Sequence, residues 1–184
     1  IAFEYVFASY EYPGYTCSNF NDIFGFFLSG PGINGPFQNE AVNIALVPDP
    51  NNPGQYTDTP VIINTINSGV ASGGNSGPCD EIDPNWQDYS VFFSQNSGTG
   101  DVPYSGFTVP LIATYSVIPC ESYHIKLAIA DVSDGVLNSA VFLTENSFSS
   151  VGLTIEADSD YGAFSGDDTT IVEGCFDGAL EFEL

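Results

Sequence analysis

The 184-residue chain carries 24 acidic side chains against one Lys or Arg and one His, a formal charge of −23, with 43% apolar residues including 15 Phe and 10 Tyr. That apolar share excludes a disordered acidic tail and suits one good-sized core with an appendage. The charge excludes nucleic acid as a partner, because binding it requires Lys and Arg, and it disfavours docking on an anionic bilayer.

From the start of the chain the periodicities are those of strands. FEYVFA (3–8) alternates, with Phe3, Tyr5 and Phe7 on one face, and IFGFFL (23–28) is a continuous apolar run of the kind covered on both sides. VNIALV (42–47), VIINTI (61–66), YSVFF (89–93), FTVPLIATYSV (107–117), YHIKLAIA (123–130), SAVFL (139–143) and VGLTIE (151–156) follow, separated by clusters of Gly, Pro, Asn, Asp and Ser. Pro110 within its run predicts an edge position or a bulge. Residues 67–88 read as a long polar loop pinned by Cys79, with Trp86 as a plug over the core.

No segment carries a sustained helical stripe or is long enough to span a bilayer. About nine short strands with frequent turns predict an all-β fold, an antiparallel β-sandwich of jelly-roll type with long loops. After about residue 150 the chain turns strongly acidic and ends in a new alternating run, ALEFEL. The expected division is a β-sandwich over 1–150 and, over 151–184, an acidic connector with terminal strands or the start of a following module. A chain that opens inside a strand-like run, IAFEYVF, is expected to be a piece of a larger exported protein.

Catalytic patterns are missing: the sequence has no G-x-S-x-G elbow, no phosphate-binding Gly loop and no H-E-x-x-H. His124 falls with Lys126 on the polar side of its strand and reads as a surface histidine. A non-enzymatic protein is therefore expected, and a carboxylate pair on a jelly-roll scaffold is the weaker alternative.

Two acidic turns remain. One follows the YHIKLAIA strand and offers Asp131, Asp134 and Asn138; the other precedes IFGFFL and offers Glu11, Asn21 and Asp22. With a single lysine in the chain, carboxylates drawn inward must accept N–H bonds, become protonated or bind a metal. Carboxylate and amide oxygens without histidine suit calcium, which takes six to eight oxygen ligands. No EF-hand pattern is present, so the site would be built from several loops.

Cys17, Cys79, Cys120 and Cys175 are far apart with no C-x-x-C pair, which argues for disulfides in an exported protein over zinc. All three pairings stay open.

FNDIFGFFLSGPGI and YHIKLAIADVSDGVLNSAVFLTENSFSS, together with VNIALVP and VIINTIN, resemble the choice-of-anchor L domain of large surface proteins from Bacteroidetes-type bacteria, over roughly residues 1–150. The resemblance implies an extracellular, cell-surface chain, often multidomain and adhesin-like, sorted by varied anchoring systems. It departs from the family at Tyr10-Glu11, where two acids are common, so one potential metal ligand is missing. The family's usual segment upstream of FEYVF is absent, which implies a sandwich short of strands unless a neighbour supplies them. VEGCFDGALEFEL resembles the opening of a following module, so Cys175 is expected to pair outside the chain. Asp168-Thr169-Thr170 fits a short O-glycosylation pattern of such bacteria, with Thr169 as the acceptor.

The leading expectation is a calcium-stabilised adhesion or binding module at the bacterial cell surface. Its expected partners are neighbouring domains or subunits, met through edge strands, and surface glycans. The alternative is a filament subunit joined to its neighbours by strand complementation.

Overall fold

Alternation in the first strand decides where the core lies. The computed structural model describes residues 1–98, 102–133, 135–145 and 147, and the strand backbones of Thr154–Asp158, Thr170–Val172 and Gly178–Glu183. In chain order the strands are β1 (Ala2–Ser9), β2 (Ile23–Ser29), β3 (Val42–Asn43), β4 (Leu46–Pro48), β5 (Tyr56–Pro60), β6 (Phe93–Gln95) and β7 (Gly106–Thr108). They continue with β8 (Leu111–Thr114), β9 (Tyr123–Ala130), β10 (Ser139–Leu143), β11 (Thr154–Asp158), β12 (Thr170–Val172) and β13 (Gly178–Glu183). One short helix, α1 (Gly77–Asp80), is the only α-helix among the described residues.

The strands form two main antiparallel sheets. The first runs β12-β10-β1-β7-β6, with β8 also on β1; the second runs β11-β13-β9-β2-β3. Phe3, Tyr5 and Phe7 on β1 are all buried, as the alternation requires, and they meet Phe24 and Phe26 of β2. The Phe3–Phe26, Tyr5–Phe26 and Phe7–Phe24 centroids are each 4.9 Å apart, and the two Phe26 contacts are edge-on, the arrangement ring quadrupoles prefer. Tyr123, Ile125, Leu127 and Ile129 extend this layer along β9. The all-β antiparallel class is thus as the sequence indicates; the strand order does not by itself establish the jelly-roll connection.

Several predicted strands are recast by local hydrogen bonding. VIINTI is a buried turn and not a strand. The Thr65 hydroxyl accepts from the Ile62 N–H at 3.0 Å and approaches the carbonyls of Pro60 and Ile62, while Ile66 N donates to Ile62 O. Side-chain bonds of this kind give the backbone an alternative to a ladder. YSVFF likewise joins a 3-10 turn, Trp86–Phe92, because Asp83 organises the entry: Asn85 N donates to Asp83 Oδ1 at 2.8 Å and Trp86 N to Asp83 O at 3.1 Å. The 67–88 loop therefore carries α1 and two short 3-10 turns.

VNIALV divides into β3 and β4, and FTVPLIATYSV divides at Val109–Pro110 into β7 and β8. Both of the latter lie along one edge of β1, so Pro110 falls where the ladder is interrupted. At the far end of the chain β13 sits between β11 and β9, and β12 adds to β10.

Candidate functional site

The turn of residues 10–22 is held from below by the 64–72 segment. Tyr12 Oη donates to Ile66 O at 2.7 Å, the Asn64 amide reaches Cys17 N and Ser18 O, and Asn64 N donates to the Asn21 side-chain oxygen at 3.0 Å. Ser72 adds its N–H to Thr16 O and its hydroxyl to Gly14 O. A disulfide between Cys17 and Cys79 ties the same turn to α1 across a separation of 62 residues.

The second acidic turn folds onto the first. Ile23 is the register partner of Ala130, so Asp22 and Asp131 flank the same end of the β2–β9 ladder. Tyr10 N donates to Asn138 O at 3.2 Å and Ser133 Oγ to Asn19 O at 2.8 Å. Ser9 and Ser139 face each other across β1 and β10. Ser9 Oγ accepts from Glu11 N at 2.9 Å, and Ser139 Oγ donates to Asp22 Oδ2 at 2.7 Å. The serine pair therefore meets Asp22 at its carboxylate and Glu11 at its backbone N–H.

The predicted ligands differ in environment. Glu11 and Asp22 are each 2% exposed, whereas Asp131 and Asn138 stand exposed at the rim. Asn21 spends its side-chain oxygen on Asn64, a role in holding the turn. Asp134 lies outside the described residues. Burial first, and then the charge of Asp22, push the Tyr12 hydroxyl pKa upward, as expected beside a buried carboxylate. The donor set is all oxygen, which fits a hard cation and not zinc. Among the described residues no three His, Cys, Asp or Glu side chains are grouped closely enough to hold a metal.

Of the cysteines, Cys17 and Cys79 are bonded, Cys120 is exposed and free among the described residues, and Cys175 lies outside them, as does Thr169. His124 is exposed, as its place in the alternation indicates.

A further buried acid was not singled out in the sequence. Asp83, 9% exposed, takes the hydroxyls of Thr59 at 2.6 Å and Tyr89 at 2.7 Å and the N–H of Asn85 at 2.8 Å. Burial works to raise its pKa, and these hydrogen bonds outweigh it and hold the carboxyl below its usual range. Burial and Asp83 together push the Tyr89 hydroxyl up to about 12.

A recess of about 190 Å³ opens on the outer face of the second sheet, lined in part by Phe27, Phe37, Gln38, Asn39, His124 and Lys126. The signal that could have found it was the joint outward placement of His124 and Lys126 on one strand.

No curated protein and no solved structure matches this sequence. The family profile described as the choice-of-anchor L domain matches residues 1–149, most of the chain. That span contains β1 to β10, including the paired strands β1, β2, β9 and β10 that carry the core, and the chain belongs to the choice-of-anchor L domain family.

Proposed function

We propose that this chain is a non-enzymatic adhesion or binding module of the bacterial cell surface, stabilised by calcium where its two acidic turns meet. The family is one of cell-surface, non-catalytic modules, and no described helix is long and apolar enough to cross a membrane. The observation that carries the calcium reading is the burial of Glu11 and Asp22 in the turn at one end of the sandwich, with Ser139 on the Asp22 carboxylate and Ser9 on the Glu11 N–H. Two carboxylates taken out of water in one place repel each other and lose hydration; a divalent cation offsets both effects. The only lysine of the chain lines the outer recess with Phe27 and Ala128, on the opposite face of its sheet from Phe24 and Phe26.

Glu11 and Asp22 would supply carboxylate oxygens to the ion, with Asp131 and Asn138 at the rim. Calcium there would clamp the loops that present a ligand to the outside. The test has two arms. Excess chelator should lower the melting temperature and calcium should restore it, while a glycan array read with and without calcium should show calcium-dependent binding. A melting curve that chelator leaves unmoved would remove the metal from this proposal.

The filament alternative relies on strand donation by the terminal runs. Both terminal strands are already paired on two sides, β1 by β10 and by β7 and β8, and β13 by β11 and β9. Donating either would break existing ladders, so no observation favours this route over β-augmentation at outer strands such as β3 or β6.

A further inference from the structure

We infer that the recess on the outer face of the second sheet binds a carboxylate-bearing sugar residue, a uronic acid unit of a surface polysaccharide. This deepens the binding-module reading and rests on it for the class of partner.

Alternation along β9 sends Tyr123, Ile125, Leu127 and Ile129 inward, and so turns His124, Lys126 and Ala128 outward. The only lysine and the only histidine of a chain with 24 acids thereby share one recess. An anion approaching this molecule of net charge −23 finds the chain's one lysine here, with Glu181 as the register partner of His124 in the adjoining strand. Lys126 already has an interaction within the chain, so an incoming carboxylate joins or replaces that contact.

The rest of the lining is not that of a bare anion site. Phe27 is the register partner of Lys126, and Phe37 packs edge-on against it with centroids 4.8 Å apart and the planes at 66°. Phe37 is 46% exposed, an open ring edge beside the cation. Gln38 and Asn39 contribute amides that both donate and accept, and Ser29 contributes a hydroxyl. Apolar ring surface, amides and one cation together match a sugar's C–H face, its hydroxyls and a single carboxylate. A phosphate dianion would call for Arg forks or several cations, which this chain does not have.

The loop carrying Phe37 to Asn39 is shaped in advance. Asn39 and Glu40 both take left-handed backbone conformations, φ 59° and 58°, which non-glycine residues adopt only when their surroundings impose them. Gly35 N donates to Glu40 O at 2.6 Å and Phe37 N to Ala41 O at 3.2 Å, closing the loop on itself. A Cβ on Gly35 would lie 2.0 Å from Ala41 O, so only glycine permits this closure. At about 190 Å³ the recess has room for roughly six waters, space to seat one sugar ring. The negative charge of the molecule makes a selection of its own, since a densely charged polyanion would be repelled outside the recess.

The experiment uses the full chain, labelled with ¹⁵N, with calcium present. It is titrated with methyl β-D-glucuronide, with the neutral methyl β-D-glucoside, and with N-acetylglycylglycine as a peptide carboxylate. The glucuronide should shift the amides of residues 27–41 and 124–128 and bind at least about tenfold more tightly than the glucoside. Lys126→Gln should abolish that preference, and Phe37→Ala, at an exposed ring, should weaken both sugars alike. If Lys126→Gln does not fold, the Phe37→Ala result decides. Equal affinity for glucuronide and glucoside, tighter binding of the peptide, or shifts confined to other regions would overturn the assignment. Calcium-dependent glycan binding that leaves these amides unmoved would sink this site and spare the binding-module reading. Glucuronide binding that persists unchanged in chelator would support the site and count against calcium dependence of binding.

Discussion

Asp83 and the Glu11–Asp22 pair are both buried acids, and they are buried in different ways. Asp83 stands by itself within a ring of donors: two hydroxyls and one backbone N–H converge on its carboxylate within 2.8 Å. Glu11 and Asp22 are both buried in the 10–22 turn, where Ser139 donates to the Asp22 carboxylate and Ser9 accepts from the Glu11 N–H. A lone carboxylate can be kept ionised in a protein by neutral donors that replace its water. Two ionised carboxylates brought close would repel as well, and hydrogen bonds to neutral groups do not cancel such repulsion. Hence neutral donors suffice at Asp83, while at the loop end a cation is the compensation that the proposed reading supplies.

The largest expected effect is on the scaffold beneath the pair. Replacing Cys17 and Cys79 by Ala releases a loop spanning 62 residues, and chain-entropy arguments put the loss at about 4 kcal/mol. For a chain of this size that is a fall in melting temperature of about 10 °C, measurable by calorimetry. Because the bond anchors the 10–22 turn, the double variant should also lose any stabilisation by calcium; if it keeps this in full, the turn does not depend on the disulfide.

Calcium itself comes next. A ligand bound only by the folded state stabilises by about 2.7 kcal/mol at a hundredfold excess over its Kd, so chelator should lower the melting temperature by several degrees. Glu11→Gln separates the two accounts by sign. If a cation compensates the pair, removing one charge lowers calcium-bound stability. If the pair is merely tolerated, the same change relieves repulsion and raises stability. Ser139→Ala should cost about 1.5–3 kcal/mol, the range for a hydrogen bond to a charged group.

Asp83 gives the control in pH. Its folded pKa is depressed, so its contribution is full above the ordinary carboxylate range and is lost as pH falls through the folded value. Tyr89 is raised to about 12, so its contribution is present below the usual tyrosine range and disappears as pH climbs from about 10 towards 12. Thr59→Val removes one donor, should cost about 1 kcal/mol at neutral pH, and should start the acid loss at a higher pH in melts across a pH series. An unchanged acid limb would show that Asp83 is not the group being titrated. The smallest expected change in stability is at the outer recess: Lys126→Gln should stay within about 0.5 kcal/mol of the parent by melting while altering ligand binding. A larger loss would mean that Lys126 is a structural residue.

Much of the frame was readable before any coordinates. Alternation in FEYVFA and YHIKLAIA assigned the inward faces of β1 and β9, because a period of two leaves no choice once one face is apolar. VIINTI and YSVFF misled because their apolar content is that of strands. The hydroxyl of Thr65 and the carboxylate of Asp83, which turn the chain there, act through local hydrogen bonds that periodicity does not register. The acidic turns were visible as a pair, yet Asn21 proved to be a brace and Asp131 a rim residue. Asp83 escaped notice because a single acid among 24 carries no mark of burial.

The order of residues alone determined that this chain is an all-β sandwich with an aromatic core, that it cannot balance its acids with its own basic side chains, and that it resembles a surface-module family. Tertiary structure decided which acids go inside, that Cys17 meets Cys79, and that His124 and Lys126 share a recess with Phe27 and Phe37. The reason is separation along the chain. Strand periodicity and net charge are properties of short windows and sums, whereas the Ser139–Asp22 bond spans 117 residues and exists only after the sheets have brought β10 beside β1.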